Sequence, residues 1–229
     1  MNIVLDCLCE FGFRRLSNKL GKPVVVNCVP GAGKTTLIRK VLSLSLDCVA
    51  FTTGEPDCIS LTGNHIKRWE GHLIPGKVNI LDEYQRLTTL PEGFDFIFGD
   101  PTQALHPNVL EPCFVSYYSH RFGSETAALL QRLGFEIQAE GEDQVIVGDL
   151  YKVDPIGTII CFQEEVCKLL KAHGLDFHGV SDIIGATYDT VTFYCSGPFN
   201  HSQAHLFLIC LTRHRKKLLV LCPEGALCN

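Results

Sequence analysis

One stretch limits what this chain can fold into more than any other. Val24–Val29 is an apolar, β-branched run, and it leads directly into Cys28-Val29-Pro30-Gly31-Ala32-Gly33-Lys34-Thr35. A helical pattern follows over Thr35–Leu44, with Leu37, Val41 and Leu44 on one face. Strand, glycine-rich turn and helix in this order form a phosphate cradle, the P-loop. Gly31 and Gly33 let the backbone curl so that its N–H groups point at phosphate oxygens. The helix N-terminus adds the positive end of its dipole. Pro30, Gly31, Ala32, Gly33, Lys34, Thr35 and Thr36 are the nucleotide-binding candidates. Lys34 would reach the β- and γ-phosphates of ATP, and the Thr35 hydroxyl would ligate Mg²⁺. Cys28 stands where the template has its first glycine. The bland alternative is a glycine-rich turn that merely caps a helix.

The rest of the chain must suit that unit. At 229 residues it has room for one large domain or two small lobes. Hydrophobic residues make up 46% and charged residues 20%, which is globular composition. The formal net charge of −5 excludes a protein that coats nucleic acid by overall charge, so any such contact needs a local basic patch. Mean hydropathy is +0.15, yet no apolar run is long enough to span a bilayer, so no transmembrane segment is expected. Met1–Leu5 meets Asp6 at once and has no basic flank, which argues against a signal peptide. The twelve cysteines include no Cys-x-x-Cys pair; Cys161/Cys167 and Cys222/Cys228 are widely spaced. We read most of them as reduced, buried and small, in a cytosolic chain.

Short apolar runs alternate with helical stretches, which predicts an α/β fold with mainly parallel sheets. Strands are expected at Val24–Val29, Cys48–Thr53, Val78–Leu81 and Phe94–Phe98. Each ends on polar or turn residues, and in a parallel sheet those ends face one ligand crevice. The stretch 101–119, with Pro101, Pro107 and Pro112, reads as a link between two halves. That places one lobe at 1–110 and another at 111–229. In the second half, helices are expected at Ser124–Leu133, Gln163–His173 and Ala204–Thr212. Strands are expected at Gln144–Val147, Thr158–Phe162, Val191–Cys195 and Leu218–Cys222.

Three further clusters carry chemistry. Val78–Leu81 runs into Asp82-Glu83, the Walker B arrangement, in which Asp82 would hold Mg²⁺ and Glu83 would deprotonate water. Gly99-Asp100-Pro101-Thr102-Gln103 follows another strand, and Gln103 could sense the γ-phosphate; a simple turn is the alternative. Leu211-Thr212-Arg213-His214-Arg215-Lys216-Lys217 reads as a basic helix end. There Arg213 would act as an arginine finger and Arg215, Lys216 and Lys217 would touch nucleic-acid phosphates. A positive helix C-terminus complementing its own dipole is the alternative. Arg121, in Ser119-His120-Arg121-Phe122, offers a second cation. The basic residues Arg14, Arg15, Lys19 and Lys22 form either another RNA patch or a solvated helix face.

In order along the chain stand Gly31–Thr35, Asp82–Gln85, Gly99–Gln103, His120–Phe122, Ala186–Thr192 and Leu211–Arg215. The set resembles motifs I to VI of superfamily 1 viral RNA helicases. The short length and the Asp-Glu-Tyr form resemble, within them, the movement proteins that open the triple gene block of filamentous plant viruses. The resemblance covers about residues 20 to 222 and implies two minimal RecA-like P-loop lobes with a nucleotide cleft between them. It implies an ATPase stimulated by single-stranded viral RNA, with ATP and Mg²⁺ as cofactors and Lys34, Glu83, Gln103, Arg121 and Arg213 as catalytic residues. It also implies cell-to-cell movement of viral RNA through plasmodesmata, suppression of RNA silencing and a host-cytoplasmic location. Other viral movement proteins, the coat protein and further copies of the chain are the implied partners. By the same resemblance, Thr52 and Thr53 fall in motif Ia and Thr187 and Asp189 in motif V, all as RNA contacts. Two departures stand out: Cys28 for glycine, and Gly185-Ala186-Thr187 where Gly-Leu-Thr is usual. From so small a chain RNA-stimulated ATP hydrolysis is expected before processive unwinding, and RNA helicase activity stays open. Two rival readings are an RNA- and partner-binding scaffold with incidental ATPase, and a small P-loop kinase.

Overall fold

The computed structural model describes residues 2–59, 63–104, 110–225 and 227; Met1, Pro107 and Cys228 lie outside them. The chain forms two compact units, Met1–Tyr118 and Ser119–Asn229.

The first unit opens on helix α1 (Asn2–Glu10), which buries Val4, Cys7 and Leu8. Its strands are β1 (Arg14–Arg15), β2 (Val24–Cys28), β3 (Cys48–Thr52), β4 (Lys67–Arg68), β5 (Val78–Asp82), β6 (Phe96–Gly99) and β7 (Phe114–Ser116). They form one sheet in the order β1-β7-β2-β6-β5-β3-β4. Every pairing is parallel except β1 with β7. β2 is buried along its whole length, as its β-branched composition predicts for an inner parallel strand. Helix α2 (Lys34–Leu44) returns the chain from β2 toward β3 and buries Leu37, Ile38, Val41 and Leu42. A second apolar cluster joins Val25, Phe51, Leu81, Tyr84, Phe94 and Ile97, with Trp69 and Leu73 packed against it.

Two expectations change here. The lobe boundary falls at Tyr118/Ser119 rather than at 110, because Phe114–Ser116 pairs with β2 and belongs to the first sheet. Arg14 and Arg15 are not on a helix. They are an exposed edge strand opposite Phe114 and Val115, and the Arg14 guanidinium lies over the Tyr117 ring, 5.8 Å from its centroid.

After the two-residue strand β8 (Tyr118–Ser119), which spans the boundary, the second unit holds α3 (Ser124–Arg132), β9 (Gln138–Ala139), β10 (Gln144–Asp149) and β11 (Thr158–Ile160). It continues with α4 (Glu164–Ala172), α5 (Val180–Ile183), β12 (Tyr188–Tyr194), α6 (Ala204–Leu211) and β13 (His214–Cys222). Its sheet is parallel throughout, in the order β10-β13-β12-β11. β13 is an inner strand, bonded on both sides, and that decides the fate of the basic run. Arg215, Lys216 and Lys217 lie on this strand and not on a helix. Helix α6 ends at Leu211, and pairing of Tyr188 with His214 and Thr190 with Lys217 draws the following residues into the sheet. The core below is apolar: Ile159, Cys161, Val166, Leu170, Tyr194, Leu219 and Leu221 pack together.

Candidate nucleotide-binding site

Parallel pairing sets the C-terminal ends of β2, β3, β5 and β6 along one edge of the first sheet. Those ends carry Cys28, Thr52, Asp82 and Gly99. The turn after β2 bends where expected, with Gly31 at φ 80° and Gly33 at φ 83°, a region that side chains with a Cβ rarely adopt. Cys28 does not bend. It is the last residue of β2, buried in extended backbone, and its thiol points at the Gly99 carbonyl 3.7 Å away. The turn therefore needs glycine at 31 and 33, while the strand continues through 28. Burial pushes the Cys28 thiol far above its ordinary range, so it stays protonated.

Lys34 opens α2, and its side chain is nine-tenths buried. Its Nζ donates to Asp82 Oδ1 at 2.6 Å and also to Glu83 Oε1. Burial works against the ammonium charge, but the two facing carboxylates outweigh it and push the Lys34 pKa up. Burial raises the Asp82 carboxyl, which Lys34 offsets only in part. Burial also opposes the Glu83 charge, yet Lys34 and a hydrogen bond from Gln85 hold its pKa below the usual range. Thr35 Oγ1 lies 3.3 Å from Asp82 Oδ2, and Asp82 Oδ1 also accepts from the Glu83 backbone N–H at 2.9 Å.

Glu83 has φ 62°, a left-handed conformation for a residue with a Cβ. Such backbone is costly and persists where neighbours hold it. Here Thr53 Oγ1 donates to the Glu83 carbonyl at 2.7 Å, and Gln85 Nε2 donates to Glu83 Oε2 at 2.5 Å. Gln85 Oε1 in turn accepts from the Asp100 backbone N–H at 3.2 Å. A buried chain of hydrogen bonds thus runs from Glu83 through Gln85 to the turn after β6. Close packing supports it: a Cβ on Gly99 would lie 2.5 Å from the Tyr84 ring. The Tyr84 hydroxyl is itself tied to Asn27 Oδ1 on β2, at 2.8 Å. None of Asn27, Gln85 or Asp100 had a role from sequence. Their signal was position alone, each lying at or just after the end of an apolar strand.

Gln103 sits in the 3₁₀ turn Pro101–Gln103, and its Nε2 donates to Asp100 Oδ2 at 2.5 Å. Asp100 also caps that turn through Thr102 N, and burial raises its carboxyl to about 6. Thr52 is buried, and its hydroxyl accepts from Gly54 N at 3.0 Å. The two motif Ia threonines therefore use their hydroxyls inside the first unit, on Gly54 and on Glu83.

In the second unit, Arg121 Nη1 donates to the Thr212 carbonyl at 3.1 Å, which ties motif IV to motif VI. Arg213 is only 1% exposed, and its Nε donates to Ile209 O at 2.9 Å. His214 is buried between Thr126 Oγ1 at 2.8 Å and Asp143 Oδ2 at 3.5 Å. Of the residues assigned to RNA, Asp189 and Lys216 face each other across neighbouring strands at 2.6 Å, both well exposed. Arg215 is exposed and Lys217 half-buried on β13, and Thr187 is half-buried just before β12.

The edge of the first sheet offers groups that could hold a nucleotide and a metal ion. Thr35 and Asp82 offer hard oxygens, and the turn supplies a backbone curl beside a buried ammonium. Among the described residues no group of three or more His, Cys, Asp or Glu side chains could hold a metal.

The family model of the viral superfamily 1 RNA helicase core domain matches residues 24–222. The chain belongs to that family. Its members are nucleotide-using helicases, and this chain carries their core over most of its length. It is similar along almost its whole length to curated viral proteins named movement and silencing protein TGBp1, and it belongs among them. The relative in Chrysanthemum virus B is 41% identical, with 99% of this chain and 98% of that one covered. Those in Poplar mosaic virus (isolate ATCC Pv275) and Lily symptomless virus are each 40% identical, with 98% of both chains covered. Among solved structures, the helicase nonstructural protein 10 of an arterivirus superposes with TM-score 0.54 at 17% identity. That match covers 96% of this chain and 56% of the arterivirus one, so this chain spans little more than half its length. At that identity the likeness concerns the fold alone. No helix among the described residues is long and apolar enough to cross a membrane.

Proposed function

We propose that this chain is an RNA-stimulated ATPase that helps viral RNA move between host cells. The observation that carries the reading is the meeting of Lys34 with Asp82 and Glu83 at the end of β5, beside the turn of Gly31 and Gly33. A triphosphate competes with the two carboxylates for Lys34. Once Lys34 turns to phosphate, Glu83 loses its strongest partner and can accept a proton from water. Gln85 holds the Glu83 carboxylate in place during that exchange. Thr35 and Asp82 would hold Mg²⁺, which supplies charge neutralisation at the phosphates. Pro30, Ala32 and Thr36 complete the phosphate turn, and Gln103, held by Asp100, lies one turn past β6.

RNA is the proposed polymer because the chain belongs to a family of RNA helicases, and an arterivirus relative in fold was solved with DNA. Arg215, Lys216, Lys217 and Thr187 are the proposed phosphate contacts. Movement and silencing suppression are extended to this chain from the names of its relatives. With them go a host-cytoplasmic site of action at plasmodesmata and, as partners, other viral movement proteins, the coat protein and further copies of the chain.

The test is steady-state ATP hydrolysis with and without single-stranded RNA, for the wild type and Lys34→Ala. Hydrolysis that rises with RNA and vanishes in the variant supports the reading. Equal background rates in both proteins would overturn the ATPase, and a movement assay with Lys34→Ala then tests a scaffold role.

A further inference from the structure

We infer that Cys161 and Cys167 form an oxidant-accessible dithiol, which closes to a disulfide before any other cysteine among the described residues reacts. Cys161 directly follows β11 and is fully buried, whereas Cys167 lies in the second turn of α4 and is half-buried. Their sulfurs are 2.9 Å apart. That is well inside the separation of two non-bonded sulfurs, so little movement is needed to bond them. Cys161 belongs to the apolar cluster with Ile159, Val166, Leu170 and Tyr194, and Cys167 packs against that cluster from α4. The fold therefore keeps the two thiols together.

Accessibility separates this pair from its neighbours. Cys195 follows β12 and Cys222 ends the adjacent strand β13, but both are fully buried. Cys9 and Cys58 are exposed, one on α1 and the other in the loop after β3, in the first unit. Only a site with one reachable sulfur and a second in contact gives both entry and closure. The oxidant is a hydroperoxide of the hydrogen peroxide class. The Cys167 thiol gives up its proton, its sulfur attacks one peroxide oxygen and the O–O bond breaks; the departing hydroxide takes up that proton as water and leaves sulfenic acid on Cys167. The Cys161 sulfur then attacks that sulfur and loses its proton, and a second water leaves. In total two thiols and one peroxide give one disulfide and two waters, with both sulfurs oxidised and the peroxide reduced. The product ties α4 covalently to the end of β11, the outer strand of the second sheet.

The sequence provides a direct readout, because trypsin releases Val153–Lys168 as one peptide containing both cysteines. Purified full-length protein is treated with sub-stoichiometric hydrogen peroxide, unfolded, alkylated and digested. The expected peptide has lost two hydrogens, takes no alkyl group, and takes two after reduction with dithiothreitol. Cys9 and Cys58 remain fully alkylated at the same dose. Three results would overturn the inference: sulfinic acid on Cys167 with Cys161 alkylated, a disulfide joining two chains, or oxidation of Cys9 or Cys58 while Val153–Lys168 still takes two alkyl groups. Cys161→Ser provides a control without the resolving thiol, in which Cys167 should be trapped by a sulfenic-acid reagent such as dimedone.

Discussion

Lys34 Nζ lies 2.6 Å from Asp82 Oδ1, an ammonium from the first turn of α2 set against a carboxylate from the end of β5. Both are buried, so each is the reason the other stays charged. Removing the cation leaves Asp82 and Glu83 facing one another. Lys34→Ala should abolish ATP hydrolysis and also destabilise the first unit at neutral pH, by on the order of 2 kcal/mol. Stability should recover on acidification, because protonation relieves the two carboxylates. Thermal melts of the variant at pH 5 and pH 7.5 check this, and a variant equally stable at both would contradict it.

Glu83 is bonded by Lys34 and Gln85 and is the assigned proton acceptor. Glu83→Gln keeps the shape and removes the base. Turnover should fall about 100- to 10,000-fold while nucleotide binding persists. Single-turnover hydrolysis beside fluorescent-nucleotide binding separates the two. Unchanged turnover would show that another group takes the proton.

Gly99 accepts no side chain, since a Cβ there would meet the Tyr84 ring at 2.5 Å and Gln85 Oε1 at 2.7 Å. The ring cannot retreat, being buried and tied to Asn27. Gly99→Ala should cost about 1–3 kcal/mol and should slow hydrolysis through Gln85. Trp69 is the single tryptophan of the chain and packs against the same cluster, so its fluorescence follows unfolding of the first unit. A melting temperature within one degree of wild type would refute the clash.

Asp143 is buried in the second unit and accepts from the Glu125 and Thr126 N–H groups at the start of α3. Burial opposes its charge, but His214, Thr126 and the backbone donors hold its pKa down at about 2. A folded pKa below the unfolded one stabilises above about pH 4, and that stability is lost as pH falls toward 2. The contribution is about 2 kcal/mol. Asp143→Asn should lose stability at pH 7 and show a flatter acid limb, measured by urea unfolding from pH 2 to pH 7. Identical acid limbs would count against the linkage.

Asp189 neutralises Lys216 on the exposed face of the second sheet. An exposed pair of this kind contributes little to stability. Asp189→Asn should leave the melting temperature unchanged and strengthen RNA binding. Lys216→Ala should lower the salt slope of RNA binding by about one. A slope equal to wild type would remove Lys216 from the RNA face.

The sequence by itself determined the elements whose signals are local. The turn at Gly31 and Gly33, the apolar run of β2 and the carboxylates closing β5 each combine period, glycine spacing and a strand end within a few residues. Their common edge also followed, because strands alternating with helices pair in parallel. What tertiary structure decided was everything carried by distant partners. Arg215–Lys217 could extend a helix or start a strand, and pairing with β12 at His214 and Lys217 and with β10 at Lys217 made it a strand. Phe114–Ser116 joined the first sheet because β2 had an open side, which moved the boundary past 110. Gln85 became a bridge only when β6 brought Asp100 beside it, and Asp189 lost its free charge only when β13 set Lys216 opposite. Local steric preference writes the first kind of feature into a short window of residues. The second kind depends on which groups burial brings together, and no short window contains both partners.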